Sequence, residues 1–76
     1  LLRFEDFSVT NGPDLRVLLA RDANNLDAGY VELARLKGNM GNQNYNIPAD
    51  VDVNDYSHVV IYCKPFHVLF SSAVLQ

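Results

Sequence analysis

Short runs of β-branched and aromatic residues recur along this chain roughly every 8 to 12 residues, and turn residues separate them. The clearest runs are 58–63 and 66–72, and the run 15–20 is apolar on both faces, as a central strand is. We count about six short strands and no sustained helix, a pattern typical of antiparallel sandwiches and barrels. The sequence therefore predicts an all-β fold, a small antiparallel β-sandwich or partly open barrel, in a single domain over residues 1–76.

Two segments of the first half need a closer interpretation. Residues 2–9 alternate imperfectly near Asp6, which predicts a first strand with a bulge. The turn residues of "NGPD" at 11–14 follow it. Residues 30–38, "YVELARLKG", contain good helix formers but also alternate like a strand. Because β-type runs surround this short segment, we predict a strand there.

The middle of the chain is polar and rich in glycine and asparagine. By composition, residues 37–44 predict a loop. Residues 45–47 predict a short strand, because the residue before Pro48 is restricted to extended geometry. Residues 49–57 are acidic, and we expect one turn of 3₁₀ helix or a plain loop there.

Charge and composition exclude several classes of protein. The chain has 9 acidic and 6 scattered basic residues, a formal net charge of −3, which argues against a nucleic-acid surface or a polybasic membrane patch. No apolar run approaches the roughly 20 residues of a membrane span, so we expect no direct membrane insertion by this segment. The chain starts with Leu1 in a strand-like pattern, and we expect it to be an excerpt of a longer chain.

The single cysteine, Cys63, ends the most apolar run of the chain. One cysteine cannot close an intramolecular disulfide. A free cysteine most often packs as a small hydrophobic residue, whereas a reactive thiol needs exposure and a lowered pKa. Both interpretations of Cys63 remain open at this point.

The connection after Cys63 decides whether His67 can reach the thiol. A tight connection of Lys64 and Pro65 pairs Cys63 with Phe66 and Ile61 with Val68. A loop of Pro65 and Phe66 pairs Cys63 with Val68 and Ile61 with Phe70 instead. Both registers place Cys63 and His67 on opposite faces, with Tyr62 on the face of His67. A three-residue connection, or a strand that runs straight through, would bring the two together. We favour opposite faces.

Other chemistry-bearing residues give weaker signals. One cysteine and two histidines have no zinc-ligand spacing, and no EF-hand is present, so we predict no metal site. Met40 lies in the glycine- and asparagine-rich segment, and a thioether there could ligate haem iron. Asp14 follows Gly12 and Pro13, and we expect it to be a turn residue whose carboxylate accepts backbone N–H groups. Motifs for hydrolases and nucleotide-binding enzymes are absent, so we do not favour a stand-alone enzyme.

Three motifs, taken together, are specific. They are "NGPDL" at 11–15, "LKGN-x-G-x-QNY-x-IP" at 36–48 and "Y-x-x-V-x-I-Y-C-x-x-F-x-V-x-F" at 56–70. In this order they resemble the DM-thirteen domain, a proposed electron-transfer domain found alone in bacterial envelope proteins or beside DOMON and cytochrome b-type domains. The resemblance covers nearly the whole chain. The residues that fall on its characteristic positions include Gly12, Pro13, Asp14, Gly38, Tyr45 and Pro48.

The resemblance implies a function and a site. The near-invariant cysteine of the family falls on Cys63, which makes this residue the redox candidate. A lone thiol needs a partner, so it would act through a bound cofactor such as haem, a metal, or the cysteine of a second protein. The cofactor stays open; for haem, the candidate ligands are Cys63, His67 and Met40. The resemblance also implies a redox protein or membrane cytochrome domain as partner, and an extracytoplasmic location, periplasmic or at the cell surface.

The resemblance also indicates where this chain departs from its family. The family has a further stretch of one or two strands before "LRFEDF", so we expect the domain to be truncated at its N-terminus, which would leave an unpaired sheet edge. Tyr62 stands where the family often has tryptophan, and Ser71 stands where glycine is usual. Neither departure affects the cysteine.

A second function from a different class remains. The chain would then be a non-catalytic β-sandwich module at the cell surface that binds protein or glycan. Recognition would use the aromatic face around Tyr62 and the segment 38–45, and Cys63 would be buried and inert.

Overall fold

The computed structural model describes residues 2–10 and 12–75, and within these ranges the chain forms two antiparallel sheets. One sheet has the order β1-β4, and the other has the order β3-β2-β5-β6. The strands are β1 (Leu2–Ser8), β2 (Leu15–Ala20), β3 (Tyr30–Arg35), β4 (Met40–Tyr45), β5 (His58–Cys63) and β6 (Val68–Val74). Single turns of 3₁₀ helix lie at Leu26–Ala28 and Val53–Asp55. The predicted all-β, sandwich-like fold is confirmed. In the described ranges, no helix has the length and apolar character that crossing a membrane requires.

The main core lies between the two sheets. The small sheet contributes Phe4 and Tyr45, whose ring centroids are 5.1 Å apart. The larger sheet contributes the side chains of Val17, Leu19 and Ile61 to the same cluster. Burial of these apolar side chains is the main favourable contribution to folding in a domain of this size.

The central strand β2 is buried on both faces, as its apolar pattern predicts. Its second face packs Leu18 and Ala20 against Val60 of β5 in a smaller cluster. Ala23 and Leu26, in the segment that follows β2, cover this cluster. The larger sheet therefore has one face in the main core and a second face with a small apolar cluster of its own.

The bulge predicted in the first strand is confirmed. The pairing of β1 with β4 shifts register between Phe4 and Phe7. Within the bulge, Asp6 has a φ of 50°, and its backbone N–H donates to Oδ1 of Asn42 at 2.9 Å. Phe7 then pairs with Gly41, whose φ is 90°. β4 accommodates the bulge of β1 through the side chain of Asn42 and the positive φ of Gly41.

For the middle of the chain, residues 30–57, the structure confirms some of the predicted elements and contradicts others. The strand predicted within 30–38 is confirmed as β3, and the 3₁₀ turn predicted within 49–57 is confirmed. The loop predicted at 37–44 is wrong, because most of it forms β4, and of the strand predicted at 45–47 only Tyr45 belongs to a strand. Pairing with β1 supplies the backbone hydrogen bonds of β4, which outweighs the weak strand propensity of glycine and asparagine.

The connection between β5 and β6 is a four-residue turn, Lys64–His67. Cys63 therefore pairs with Val68, which is the register predicted for a loop of Pro65 and Phe66. The tight connection of Lys64 and Pro65, which would pair Cys63 with Phe66, is wrong. The start of the last strand at Phe66 is also wrong, because β6 begins at Val68. The proline and the positive φ of 54° at His67 keep these residues in the turn.

A second bulge interrupts the pairing of β5 with β6. Tyr62 pairs with Leu69, but Ile61 pairs with Ser71, so Phe70 is the extra residue. The predicted pairing of Ile61 with Phe70 is therefore wrong. The ring of Phe70 packs against the main core. In "NGPD", Asn11 lies outside the described residues, and a bend at residues 13–14 leads into β2.

Candidate functional site

Cys63 is the last residue of β5, where it pairs with Leu15 of β2 and Val68 of β6. Its thiol is free, its exposed fraction is 0%, and it belongs to the main core cluster. A thiol in this position packs as a small apolar group. In the folded state, no solute or partner can touch the sulfur without movement of the surrounding chain.

The turn Lys64–His67 lies directly beside this thiol, and all four of its residues are exposed. Two backbone hydrogen bonds hold the turn: the N–H of Lys64 donates to the carbonyl of Asp14 at 3.1 Å, and the N–H of His67 donates to the carbonyl of Lys64 at 3.4 Å. A turn without buried side chains opens at lower cost than the sheet that it connects. The chain beside Cys63 is therefore weakly held, although the thiol itself is buried.

A network of charged side chains lies at the same end of the larger sheet. Asp14 accepts from Arg16 at 2.8 Å and lies 3.7 Å from Nε of Arg35. Glu32 accepts from Nη1 of Arg16 at 3.0 Å and from Lys64 at 3.4 Å. The hydrogen bonds from Arg16 are the main cause that lowers the pKa of Asp14, and its contact with Asp14 raises the pKa of Arg16. The network joins β2, β3 and the turn after Cys63.

The glycine and proline of the first motif lie next to this network. Gly12, Pro13 and Asp14 line a shallow cavity of about 430 Å³, which they share with Gly38 of the second motif. A Cβ atom on Gly12 would lie 3.0 Å from the ring of Phe70. Glycine at this position therefore permits the close approach of the chain to Phe70.

Buried and partly buried hydrogen bonds hold the second motif in place. The Tyr45 hydroxyl accepts from the N–H of Lys37 at 2.8 Å and donates to Oε1 of Gln43 at 2.5 Å. Nε2 of Gln43 donates to the carbonyl of Gly38 at 2.6 Å, and the N–H of Leu36 donates to the carbonyl of Leu15 at 2.9 Å. Burial raises the pKa of the Tyr45 hydroxyl. The segment between β3 and β4 is thus fixed beside the start of β2.

The three sequence motifs therefore meet near the end of the larger sheet that contains Cys63. Asp14 binds the turn after Cys63, Leu15 pairs with Cys63, and Tyr45 and Gly38 brace the segment next to Leu15. Pro48 is separate, since its carbonyl accepts from Val51 in the loop after β4. These motif residues therefore hold the chain segments around Cys63 in place. They do not form a set of reactive groups.

The candidate haem ligands do not converge. Met40 lies on β4 opposite Ser8 and is 69% exposed, whereas Cys63 is fully buried. His67 lies in the exposed turn and is bonded to the hydroxyl of Tyr62, on the face opposite Cys63, as the even-length connection predicts. No contact within residues 2–10 and 12–75 joins any two of these three side chains, and these ranges hold no cluster of three or more His, Cys, Asp or Glu side chains suited to a metal ion. The residues present do not fit haem, because a buried sulfur and two separated side chains cannot ligate one iron.

A larger groove opens between β1 and β6 and has a volume of about 790 Å³. Phe4, Phe7, Tyr56 and Ile61 contribute to its apolar wall, and the ion pair of Arg3 with Glu5 lies at its side. The volume lies in the range of about 300–1,000 Å³ that is typical of ligand sites. None of the described residues that line the groove is histidine, cysteine or methionine, so the groove supplies no usual axial ligand for haem beyond the hydroxyl of Tyr56.

Two features of this end of the sheet were not predicted from the sequence. Arg16, Glu32 and Lys64 form its charged network, and the hydroxyl of Tyr62 lies 3.0 Å from Nδ1 of His67. The strand parity already placed Tyr62 and His67 on one face, and that was the available signal for the second feature. The network had no such signal, because the pairing of β2 with β3 brings Glu32 to Arg16 and depends on a register shift.

One of three comparisons with known proteins gives a match. The family model described as "Electron transfer DM13" matches residues 1–75. No curated protein and no solved structure matches the chain. The match spans all three motifs that frame Cys63 and supports a role in electron transfer. The chain belongs to the DM13 electron-transfer family.

Proposed function

We propose that this domain is an extracytoplasmic electron-transfer module that acts through the thiol of Cys63, with a cysteine of a partner protein as its counterpart. The observation that carries the proposal is the position of Cys63. It is the one thiol of the chain, and it lies at the end of β5 beside a turn whose four side chains are all exposed. The three motifs shared with the family meet around this position.

Access to the thiol requires the turn Lys64–His67 to open. Opening breaks the hydrogen bond between the N–H of Lys64 and the carbonyl of Asp14, and the contact of Lys64 with Glu32. An exposed ion pair of this kind contributes little, roughly 0–1 kcal/mol. The turn is therefore expected to open more often than the sheet unfolds, which makes Cys63 a gated thiol rather than a permanently exposed one.

The chemistry of the open state is thiol–disulfide exchange. The deprotonated sulfur of Cys63 attacks one sulfur of a partner disulfide, the partner S–S bond breaks, and the second partner sulfur leaves as a thiolate. A mixed disulfide with Cys63 results. A thiolate of a second partner then attacks the first partner's sulfur in this mixed disulfide, which releases the thiolate of Cys63 and joins the two partners by a disulfide. A second thiolate of the second partner attacks its own sulfur in that disulfide and releases the remaining sulfur of the first partner as a thiolate. A disulfide closes within the second partner, so that an electron pair has passed from the second partner to the first.

We infer the partner and the location from the proteins in which other members of the family are found. Members found beside cytochrome b-type membrane domains suggest a redox protein or membrane cytochrome domain as partner. Members in bacterial envelope proteins suggest an extracytoplasmic setting, where disulfides form and persist. Because the candidate ligands do not fit haem, Cys63 exchanges electrons with a partner thiol and not with haem.

Thiol labelling of the native domain tests the proposal. We expect a chromogenic disulfide reagent to label Cys63 in the absence of denaturant, at a rate independent of urea below the unfolding transition. Pro65→Gly should raise this rate roughly two- to fivefold, because the open turn gains conformational entropy. Pro48→Gly is the matched control in a distant loop and should leave the rate unchanged. Labelling that follows only the global unfolding equilibrium in all three proteins overturns the proposal.

A second function is favoured by one observation, the complete burial of Cys63. A non-catalytic module that binds protein or glycan at the cell surface needs no reactive thiol. Its recognition surface would include Tyr62 and residues 38–45, of which Met40 is prominently exposed. Labelling that requires global unfolding is the result that supports this second function.

A further inference from the structure

We propose that Tyr62 and His67 form a proton-coupled redox pair, in which Tyr62 gives up one electron while its phenolic proton passes to His67. The inference rests on the proposed role in electron transfer, but it does not depend on the reactivity of Cys63. It assigns a redox site on the face of the larger sheet opposite the main core.

The geometry of the pair suits proton transfer. The hydroxyl oxygen of Tyr62 lies 3.0 Å from Nδ1 of His67, which is a hydrogen-bond distance. The two rings meet edge to face, with centroids 6.2 Å apart and an interplanar angle of 60°. A neutral imidazole that carries its proton on Nε2 presents Nδ1 as an acceptor to the phenol. An imidazole is also the side chain best suited to take a proton near neutral pH.

The fold holds both members of the pair in place. Tyr62 is half-buried in β5, where its backbone pairs with Arg16 on one side and Leu69 on the other. Its ring packs against the small cluster that contains Leu18 and Val60. A phenol on a strand between two paired neighbours has little freedom to leave its position.

His67 is held by an uncommon backbone conformation. Its φ of 54° lies in the left-handed region, where glycine or asparagine would be easier to accommodate. This conformation ends the four-residue turn, and from this position the imidazole contacts the hydroxyl of Tyr62. A strained residue with a specific side-chain contact is a candidate for function.

The other three tyrosines lack such an acceptor. The Tyr45 hydroxyl donates to an amide oxygen of Gln43, which does not take up a proton. The ring of Tyr56 lies under the guanidinium of Arg21, and no contact in the described part of the chain joins the hydroxyl of Tyr56 or of Tyr30 to a base. Oxidation of an unassisted phenol must release its proton to water. Tyr62 is therefore the tyrosine whose oxidation is assisted by a hydrogen-bonded base.

The redox step requires a one-electron oxidant that contains a metal centre. The oxidant accepts one electron from Tyr62, and the phenolic O–H bond breaks. The proton forms a bond with Nδ1 of His67, so that a neutral phenoxyl radical lies next to an imidazolium. Return of one electron from a donor restores the phenol and takes the proton back from His67.

Flash photo-oxidation tests the pair. A ruthenium polypyridyl complex, oxidised by light in the presence of a sacrificial acceptor, serves as the one-electron oxidant, and transient absorption follows the phenoxyl radical. We expect the wild-type domain to form the radical at least about tenfold faster than His67→Asn, because a positioned base assists the proton transfer. Asparagine tolerates the left-handed conformation, so this variant preserves the turn. Tyr62→Phe should lose the fast phase, whereas Tyr56→Phe, the matched control, should retain it.

Two further measurements separate a redox role from a structural one. His67→Gly removes the base and relaxes the backbone, and imidazole added to the buffer should restore part of the fast phase. The same fast phase should persist in Cys63→Ala, which separates this inference from the proposed thiol chemistry. An equal rate in the wild type and His67→Asn, or a fast phase that survives Tyr62→Phe, overturns the inference.

Discussion

Arg16 binds the carboxylate of Asp14 through two parallel hydrogen bonds, with Nε 2.8 Å from Oδ1 and Nη2 3.1 Å from Oδ2. This two-point geometry is the most specific form of a guanidinium–carboxylate contact. The same aspartate accepts the N–H of Lys64 through its backbone carbonyl. One residue before β2 therefore orders a side chain of β2 and the turn that follows Cys63.

Asp14→Asn should lower the stability of the domain and flatten its dependence on acid. The contacts with Arg16 lower the pKa of Asp14 below its ordinary value of 3.8. A lowered folded-state pKa gives stability that is present above the unfolded value and lost as the pH falls through the folded one. Urea midpoints measured between about pH 5 and about pH 2 should therefore fall more steeply in the wild type than in the variant.

Asp50→Asn provides the control for this prediction. Asp50 is exposed, and it makes no side-chain contact in the part of the chain that the structure describes. The same chemical change there should leave both the midpoint and its acid dependence as in the wild type. Equal acid profiles for Asp14→Asn and the wild type would show that the two-point contact does not operate in solution.

Tyr45→Phe should destabilise the domain by about 1–3 kcal/mol, the cost of leaving buried polar groups without a partner. The change removes the acceptor of the Lys37 N–H and the donor to Gln43, while the ring can stay against Phe4. Tyr30→Phe is the matched control on an exposed tyrosine and should cost much less. Equal unfolding free energies for the two variants in urea would contradict the role of this network.

The same phenol gives an alkaline prediction. Burial raises the pKa of Tyr45 above its ordinary value of 10.0. A raised folded-state pKa gives stability that is fully present below the unfolded value and is lost as the pH rises through the folded one. The wild type should therefore lose stability above about pH 10, and Tyr45→Phe should lose less over the same range. Thermal midpoints in alkaline buffers measure the difference.

Strands with β-branched and aromatic residues were predictable because local propensity and long-range pairing agree in them. Residues 15–20 and 58–63 form β2 and β5 as predicted. Residues 40–45 have neither strong propensity nor apolar alternation, and they form a strand because β1 supplies a partner. The bulge that makes Phe70 an extra residue also depends on pairing across the sheet, which no local pattern of β6 reveals.

The site was only partly predictable for a related reason. The predicted parity separates Cys63 from His67 and places His67 with Tyr62, as the structure does. His67 lies in the turn rather than in β6, however, so its left-handed backbone and not strand alternation sets its contact with Tyr62. The complete burial of Cys63 depends on how the turn and the opposite sheet cover the end of β5. The contact of Arg16 with Glu32 depends on the register of β3 against β2. Such contacts follow from tertiary structure rather than from residue spacing.

The bulge of β1 gives a prediction about backbone strain. Asp6 has a φ of 50°, a conformation that costs an alanine about 1 kcal/mol or more and costs glycine little. Asp6→Gly should therefore be more stable than Asp6→Ala by about 1 kcal/mol, although both remove the same exposed carboxylate. Urea unfolding of the two variants gives the difference. If alanine proves as stable as glycine, the left-handed conformation of the bulge is not maintained in solution.

Replacement of Cys63 should show how closely its environment fits a small apolar group. Cys63→Ala leaves a small cavity and should cost about 1 kcal/mol. Cys63→Ser is closer in shape but buries a hydroxyl in the apolar cluster that also contains Leu15 and Ile61. This variant should be about 1–3 kcal/mol less stable than the wild type. Serine should thus be the more destabilising of the two, despite its similar size. A serine variant as stable as the wild type would mean that the hydroxyl finds a hydrogen-bond partner at position 63, which contradicts a purely apolar environment there.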